Sequence, residues 1–129
     1  MVTLGDLRGQ TEHEIKEHLA YQYGVSWDTL DEIVVERLKN LNILIAYESV
    51  GDWGCDSTSY FLLKDKTTGE LFEIHGSHCS CYGFENQFDL EPMTLEAIKL
   101  RSYLFSTGGY DIESQENIDE AMEFINSMD

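Results

Sequence analysis

The chain has 129 residues, 25 of them acidic and 8 basic, for a net charge of −17. That length holds one domain around a modest core, and the charge argues against direct nucleic-acid binding, because neutralising phosphates takes Lys and Arg. No apolar run approaches the roughly 18 residues that span a bilayer, and the opening residues lack the basic and apolar regions of a signal peptide, so a cytoplasmic protein is expected.

The first element is announced by Thr11-Glu12-His13-Glu14, a capping box in which the threonine oxygen accepts from a free helix N–H and Glu14 reaches back. It predicts a helix over 12–23, with Ile15, Leu19 and Tyr23 on one face and Gly24 at the C-terminal cap. His13 and His18 are five apart, share no face and read as solvated surface. A second helix is expected over 27–40, capped by Ser26 or Asp28, with Leu30, Ile33, Val34, Arg37, Leu38 and Leu41 along one stripe. Trp27 and Tyr21 or Tyr23 read as a packing staple between the two helices.

From Asn42 the pattern turns to β. Ile43-Leu44-Ile45-Ala46-Tyr47 is apolar at every position, which suits a strand over 42–48 buried on both faces. A polar loop with Gly51, Trp53, Gly54 and Cys55 leads to a hairpin, strands 58–64 and 70–76, turned by Asp65-Lys66-Thr67-Thr68-Gly69 with the glycine at positive φ. Residues 82–92 then form an irregular segment with Phe84, Phe88 and Leu90. A third helix is expected over 94–105, with Leu95, Ile98, Arg101 and Leu104 along its inner edge, and a last one over 115–127, capped by Ser114 or Asn117. The last helix places Ile118, Ala121, Met122, Ile125 and Met128 on one face and Glu116, Asp119, Glu120 and Glu123 on the other. After Arg101 the chain has no basic residue.

The densest chemistry is in His75-Gly76-Ser77-His78-Cys79-Ser80-Cys81-Tyr82-Gly83, which holds two of the three cysteines. Pairing Lys64 with Glu70 places Cys55 opposite Cys79 at the hairpin mouth. Thiolate and imidazole suit tetrahedral zinc, and strand alternation selects Cys55, His75, Cys79 and Cys81 as ligands of a structural ion, with His78 in reserve. The spacing is not that of a standard zinc half-site. Three free thiols, a Cys55–Cys79 disulfide and a cysteine nucleophile are the competing readings. A zinc- or cysteine-dependent hydrolase built on the 75–81 cluster is the enzyme alternative, with Glu73 or Asp56 as its base.

The acidic face reads either as ordinary solvation or as a surface for a basic partner, in effect a mimic of nucleic acid. The cassette His78-Cys79-Ser80-Cys81-Tyr82-Gly83-Phe84-Glu85, following Tyr60-Phe61-Leu62-Leu63 and Leu71-Phe72-Glu73-Ile74-His75, resembles one in small phage and prophage proteins. With its size and acidity the chain is similar to phage-encoded anti-CRISPR proteins of type II systems. That resemblance implies a non-enzymatic inhibitor of an RNA-guided effector nuclease, working in the host bacterial cytoplasm, some of its kind carrying a metal. Glu116, Asp119, Glu120 and Glu123 are the expected contact residues, with Trp53, Tyr82 and Phe84 as apolar anchors. A phage regulatory protein acting on another host factor is the third reading. The expected fold is α+β, a single domain with two N-terminal and two C-terminal helices and a central antiparallel sheet of about three strands, its hairpin pinned by zinc.

Overall fold

The structure is a computed structural model that describes residues 1–26, 29–50, 57–78, 83–101, 104–105 and 112–129, with backbone alone for 112–114. Its elements are β1 (Val2–Gly5), α1 (Glu12–Gln22), α2 (Glu32–Leu38), β2 (Leu41–Ser49), β3 (Ser57–Asp65), β4 (Leu71–His78), β5 (Glu91–Met93), α3 (Leu95–Lys99) and α4 (Ile112–Asn126). The α+β class stands, but the sheet has five strands in the order β1-β2-β3-β4-β5, and it is mixed: β1 runs parallel to β2 while the other neighbours are antiparallel. A parallel neighbour needs a long crossover, and α1 and α2 supply it between β1 and β2.

The helices flank the sheet, two on each face. Ile15, Leu19, Tyr23, Val34 and Leu38 of the α1–α2 side pack on Leu41, Ile43, Ala46, Phe61, Leu63, Phe72 and Ile74. On the other face Ile98 of α3 and Ala121 and Ile125 of α4 pack with Leu4, Ile45, Tyr47, Tyr60, Leu62 and Leu71. The central strands are thus covered twice, which is why β2 reads as an unbroken apolar run. Its alternation also breaks: the register skips between Ile43 and Ile45, so Leu44 is the extra residue of a β-bulge and the two isoleucines face opposite layers.

Local signals place several boundaries. Thr11 and Glu14 form both arms of the capping box. The α1 C-cap is Tyr23, in right-handed conformation, so Gly24 is not a left-handed cap; a Cβ there would stand 2.5 Å from that of Asp31. Asp31 caps α2 by accepting from Ile33 and Val34 N–H, correcting the expected start at 27–28 and caps at Ser26 or Asp28. Helix α3 stops at Lys99, short of the expected 105, and α4 opens at Ile112, ahead of the expected caps Ser114 and Asn117, which lie inside it.

The β3–β4 turn is as expected, with Gly69 at φ 76 and the Asp65 carboxylate accepting from Thr67 N and Thr68 N at 2.8 and 2.9 Å. Those two backbone donors hold the Asp65 carboxyl below its ordinary value. The pairing differs by one residue from the expected one: Lys64 faces Leu71, not Glu70, and the ladder ends at Ser57↔His78. Gly76 does not bend the strand, which continues to His78; it is where β4 lies so close to its neighbours that a Cβ would meet Ser59 Oγ at 2.3 Å and Phe84 Cδ1 at 3.0 Å. β5 covers only residues 71–73 of β4. Further along, the Gln87 side chain takes the place of a strand: its Oε1 accepts from Ser77 N and its Nε2 donates to Ser77 O, both at 2.7 Å.

Candidate functional site: a buried carboxylate and an acidic helix face

Glu73 and His75 are two apart on β4 and so share the face that looks towards α3 and α4. Across the ladders Glu73 stands beside Leu62 and Glu91, and His75 beside Tyr60. Glu73 is fully buried, a position a carboxylate holds only when paired. Three donors and an imidazole nitrogen surround it. Arg101 Nη1 and Nη2 reach Oε2 and Oε1 at 3.0 and 2.6 Å, the Tyr60 hydroxyl donates to Oε2 in a short hydrogen bond, and His75 Nε2 lies 3.3 Å from Oε1. Arg101 Nη2 also reaches Met93 Sδ at 3.4 Å.

Burial pushes the Glu73 carboxyl up, but the hydrogen bonds from His75, Tyr60 and Arg101, together with the guanidinium charge, outweigh it and hold the group below its ordinary value. Tyr60 moves the other way. Its burial and the adjacent Glu73 charge push the phenol well above the usual tyrosine range. Glu73, a possible base for a hydrolase, is therefore an ionised carboxylate already committed to Arg101 and Tyr60. Exposed Glu91 completes the cluster, and one ligand atom each from Glu73, His75 and Glu91 lie within 4.8 Å of one another.

The opposite face carries a second buried carboxylate. Glu48, near the end of β2, accepts from the Tyr23 hydroxyl at 2.8 Å and lies 2.6 Å from His18 Nε2. Burial and the Glu48 charge raise Tyr23 well above the ordinary tyrosine value. His18, expected on the solvated surface, is thus a three-quarters-buried partner of Glu48, whereas His13 is exposed beside Glu17. Nothing in the local sequence marks this triad, since its members come from a helix, a helix end and a strand.

The two histidines offered as zinc ligands sit on opposite faces of β4. His75 packs edge-on to Tyr60 and faces Glu73, and His78 packs edge-on to Phe84 on the α1–α2 side. Cys55, Cys79 and Cys81 lie outside the described residues, as do Trp53, Tyr82, Trp27 and Asp56. Phe84 is not an exposed anchor. It is 4% exposed and stacked on Tyr23, ring centroids 4.7 Å apart and planes 8° from parallel, because the 83–90 segment folds over the α1 side of the sheet.

Glu116, Asp119, Glu120 and Glu123 are all exposed along one stripe of α4, opposite buried Ala121 and Ile125. Among the described residues the cation reaching that stripe is Arg8, 3.2 Å from Glu120 and 3.0 Å from Asn117. Elsewhere Lys16 pairs with Glu12 and Lys39 with Glu36. No helix among the described residues is long and apolar enough to cross a membrane. No family model matches the chain, and comparison with curated proteins and with solved structures finds no match either.

Proposed function

We propose that the protein is a binding protein that docks the acidic stripe of α4 on a basic, nucleic-acid-binding surface of its partner. The observation that carries this is the segregation on α4: Glu116, Asp119, Glu120 and Glu123 face solvent while the apolar side is used up in the core. Carboxylates held on a rigid helix present charge at fixed spacing, and net self-repulsion at −17 works against compactness, a cost that a steering surface offsets. The partner implied by the resemblance of the Cys/His cassette is the RNA-guided effector nuclease of a type II CRISPR system, where the stripe would cover Lys and Arg that hold guide or target strands. In the same reading Cys55, Cys79 and Cys81 hold a structural zinc. The contact of His75 with Glu73 favours His78 as its fourth ligand, reversing the order expected from strand alternation.

The experiment is charge reversal of the stripe. The quadruple variant Glu116→Lys, Asp119→Lys, Glu120→Lys, Glu123→Lys should keep its circular dichroism spectrum. Its association with the purified effector should slow at least about tenfold, within the range for electrostatic steering. Wild-type association should also weaken with salt, because attraction is screened beyond about 8 Å at physiological ionic strength. An unchanged association rate and unchanged inhibition would remove α4 from the mechanism.

A further inference from the structure

We infer that Glu73, His75 and Glu91 form a binding site for a first-row divalent cation, separate from the cysteines. The three donors are brought together by register alone: Glu91 pairs with Glu73 across the β4–β5 ladder, and His75 follows two residues along the same face. Two carboxylates placed side by side repel each other unless a cation lies nearby. Arg101 answers that need from one side only, the side of Glu73. Glu91 and the imidazole remain at the solvent edge, with His75 41% exposed.

The distances leave room for an ion. At 3.3 Å, His75 Nε2 and Glu73 Oε1 are long for a hydrogen bond to a charged group, which is ordinarily about 2.7–2.9 Å. Two donors about 2.0–2.1 Å from one ion are separated by roughly 3.0 Å at octahedral angles and 3.3 Å at tetrahedral ones. The contact therefore has the span of two ligands sharing an ion. Tyr60 and Arg101 would act behind the ligands, fixing the orientation of Glu73 as outer hydrogen-bond partners do at metal centres. The guanidinium charge also sets a limit. With Arg101 present the cluster carries one net negative charge when His75 is neutral, so affinity falls below that of an uncompensated pair of carboxylates. Two oxygens and an imidazole nitrogen suit Mn²⁺, Fe²⁺ or Zn²⁺, and the absence of sulfur from the set separates it from a thiolate site.

Mn²⁺ is the probe, because it takes oxygen and nitrogen ligands and competes poorly for thiolates. Titration of the protein as purified, dialysed without chelator so that thiolate-bound metal stays in place, followed by the loss of the free Mn²⁺ electron paramagnetic resonance signal, should show one ion bound per chain. Glu91→Gln and His75→Ala alter exposed side chains and should each weaken binding at least tenfold with melting nearly unchanged. Cys79→Ser and Cys81→Ser, assayed at a temperature where circular dichroism shows them folded, should leave Mn²⁺ binding as it is. The site is overturned by a wild-type protein that binds no Mn²⁺, by binding indifferent to Glu91→Gln, or by binding abolished in the cysteine variants alone. Because none of these readouts involves a partner, their failure is independent of the docking proposal.

Discussion

Arg101 grips Glu73 with both terminal guanidinium nitrogens, and this pair joins the segment after α3 to the middle strand of the β3–β4–β5 antiparallel ladder. Removing the cation would leave a carboxylate with no exposure and no counter-charge. Arg101→Met should therefore destabilise the protein by about 3–5 kcal/mol, as when one member of a buried ion pair is deleted. Adding Glu73→Gln should restore part of the loss in denaturant titrations. If the single variant unfolds at the wild-type midpoint, the pair contributes nothing.

Alkaline titration should find Tyr23 and Tyr60 resistant to ionisation. Tyr23 and Tyr60 are both raised, so the fold favours their neutral form. Their contribution is intact below the unfolded tyrosine value of about 10 and is lost as pH rises beyond it. Glu73 has the opposite sign: its lowered carboxyl contributes above the unfolded value of about 4.3 and loses that contribution as pH falls below it. Phenolate absorbance should show at least two tyrosines ionising only with unfolding, with one fewer in each of Tyr23→Phe and Tyr60→Phe, and normal titration of every tyrosine would refute the buried assignments.

Phe84 tests whether the segment after β4 is core or surface. Its ring fills space between Tyr23, His78 and Gly76, so Phe84→Ala should cost about 3–5 kcal/mol. Gly76→Ala should cost about 1–3 kcal/mol by overpacking the same spot. Both would be read by chemical denaturation. Stability unaffected by Phe84→Ala, with partner binding lost, would return this ring to the surface.

The proposed structural zinc has its own signature. Protein purified without chelator should contain zinc, and Cys79→Ser, Cys81→Ser or Cys55→Ser should remove it along with much of the thermal stability, since metal affinity is here folding free energy. His78→Ala should be more damaging to zinc content than His75→Ala. Elemental analysis of metal-free wild-type protein with full stability would end this assignment.

What the sequence made legible was local. The capping box at Thr11 and Glu14 and the Asp65–Gly69 turn each complete their hydrogen bonds within a few residues, so composition and spacing were enough. β1 has no such signal: it is four residues long, and its partners begin at Ile45, beyond two helices. β5 was hidden by its own residue types, Glu91-Pro92-Met93, which carry no strand propensity and exist as a strand only because β4 is there to pair with. The site followed the same division. His75 and Glu73 drew notice as residue types, but Tyr60, Glu91 and Arg101 join them through register and a returning segment, relations that one-dimensional spacing does not express. Arg101 does point inward as the helical stripe suggested, though as a counter-ion rather than as the inner edge of a longer helix.

The Gln87 amide beside Ser77 bears on what the protein avoids. An unpaired sheet border offers a template on which a neighbouring molecule can add a strand, the first step towards aggregation. Gln87 occupies a donor and an acceptor on β4 beyond the reach of β5. β5 itself spans three residues and includes Pro92, which has no N–H to offer. This side of the sheet is thus blunted twice, by a borrowed side chain and by a missing donor. Gln87→Ala should therefore raise the aggregation propensity of the native protein in light scattering even where its melting temperature is little changed.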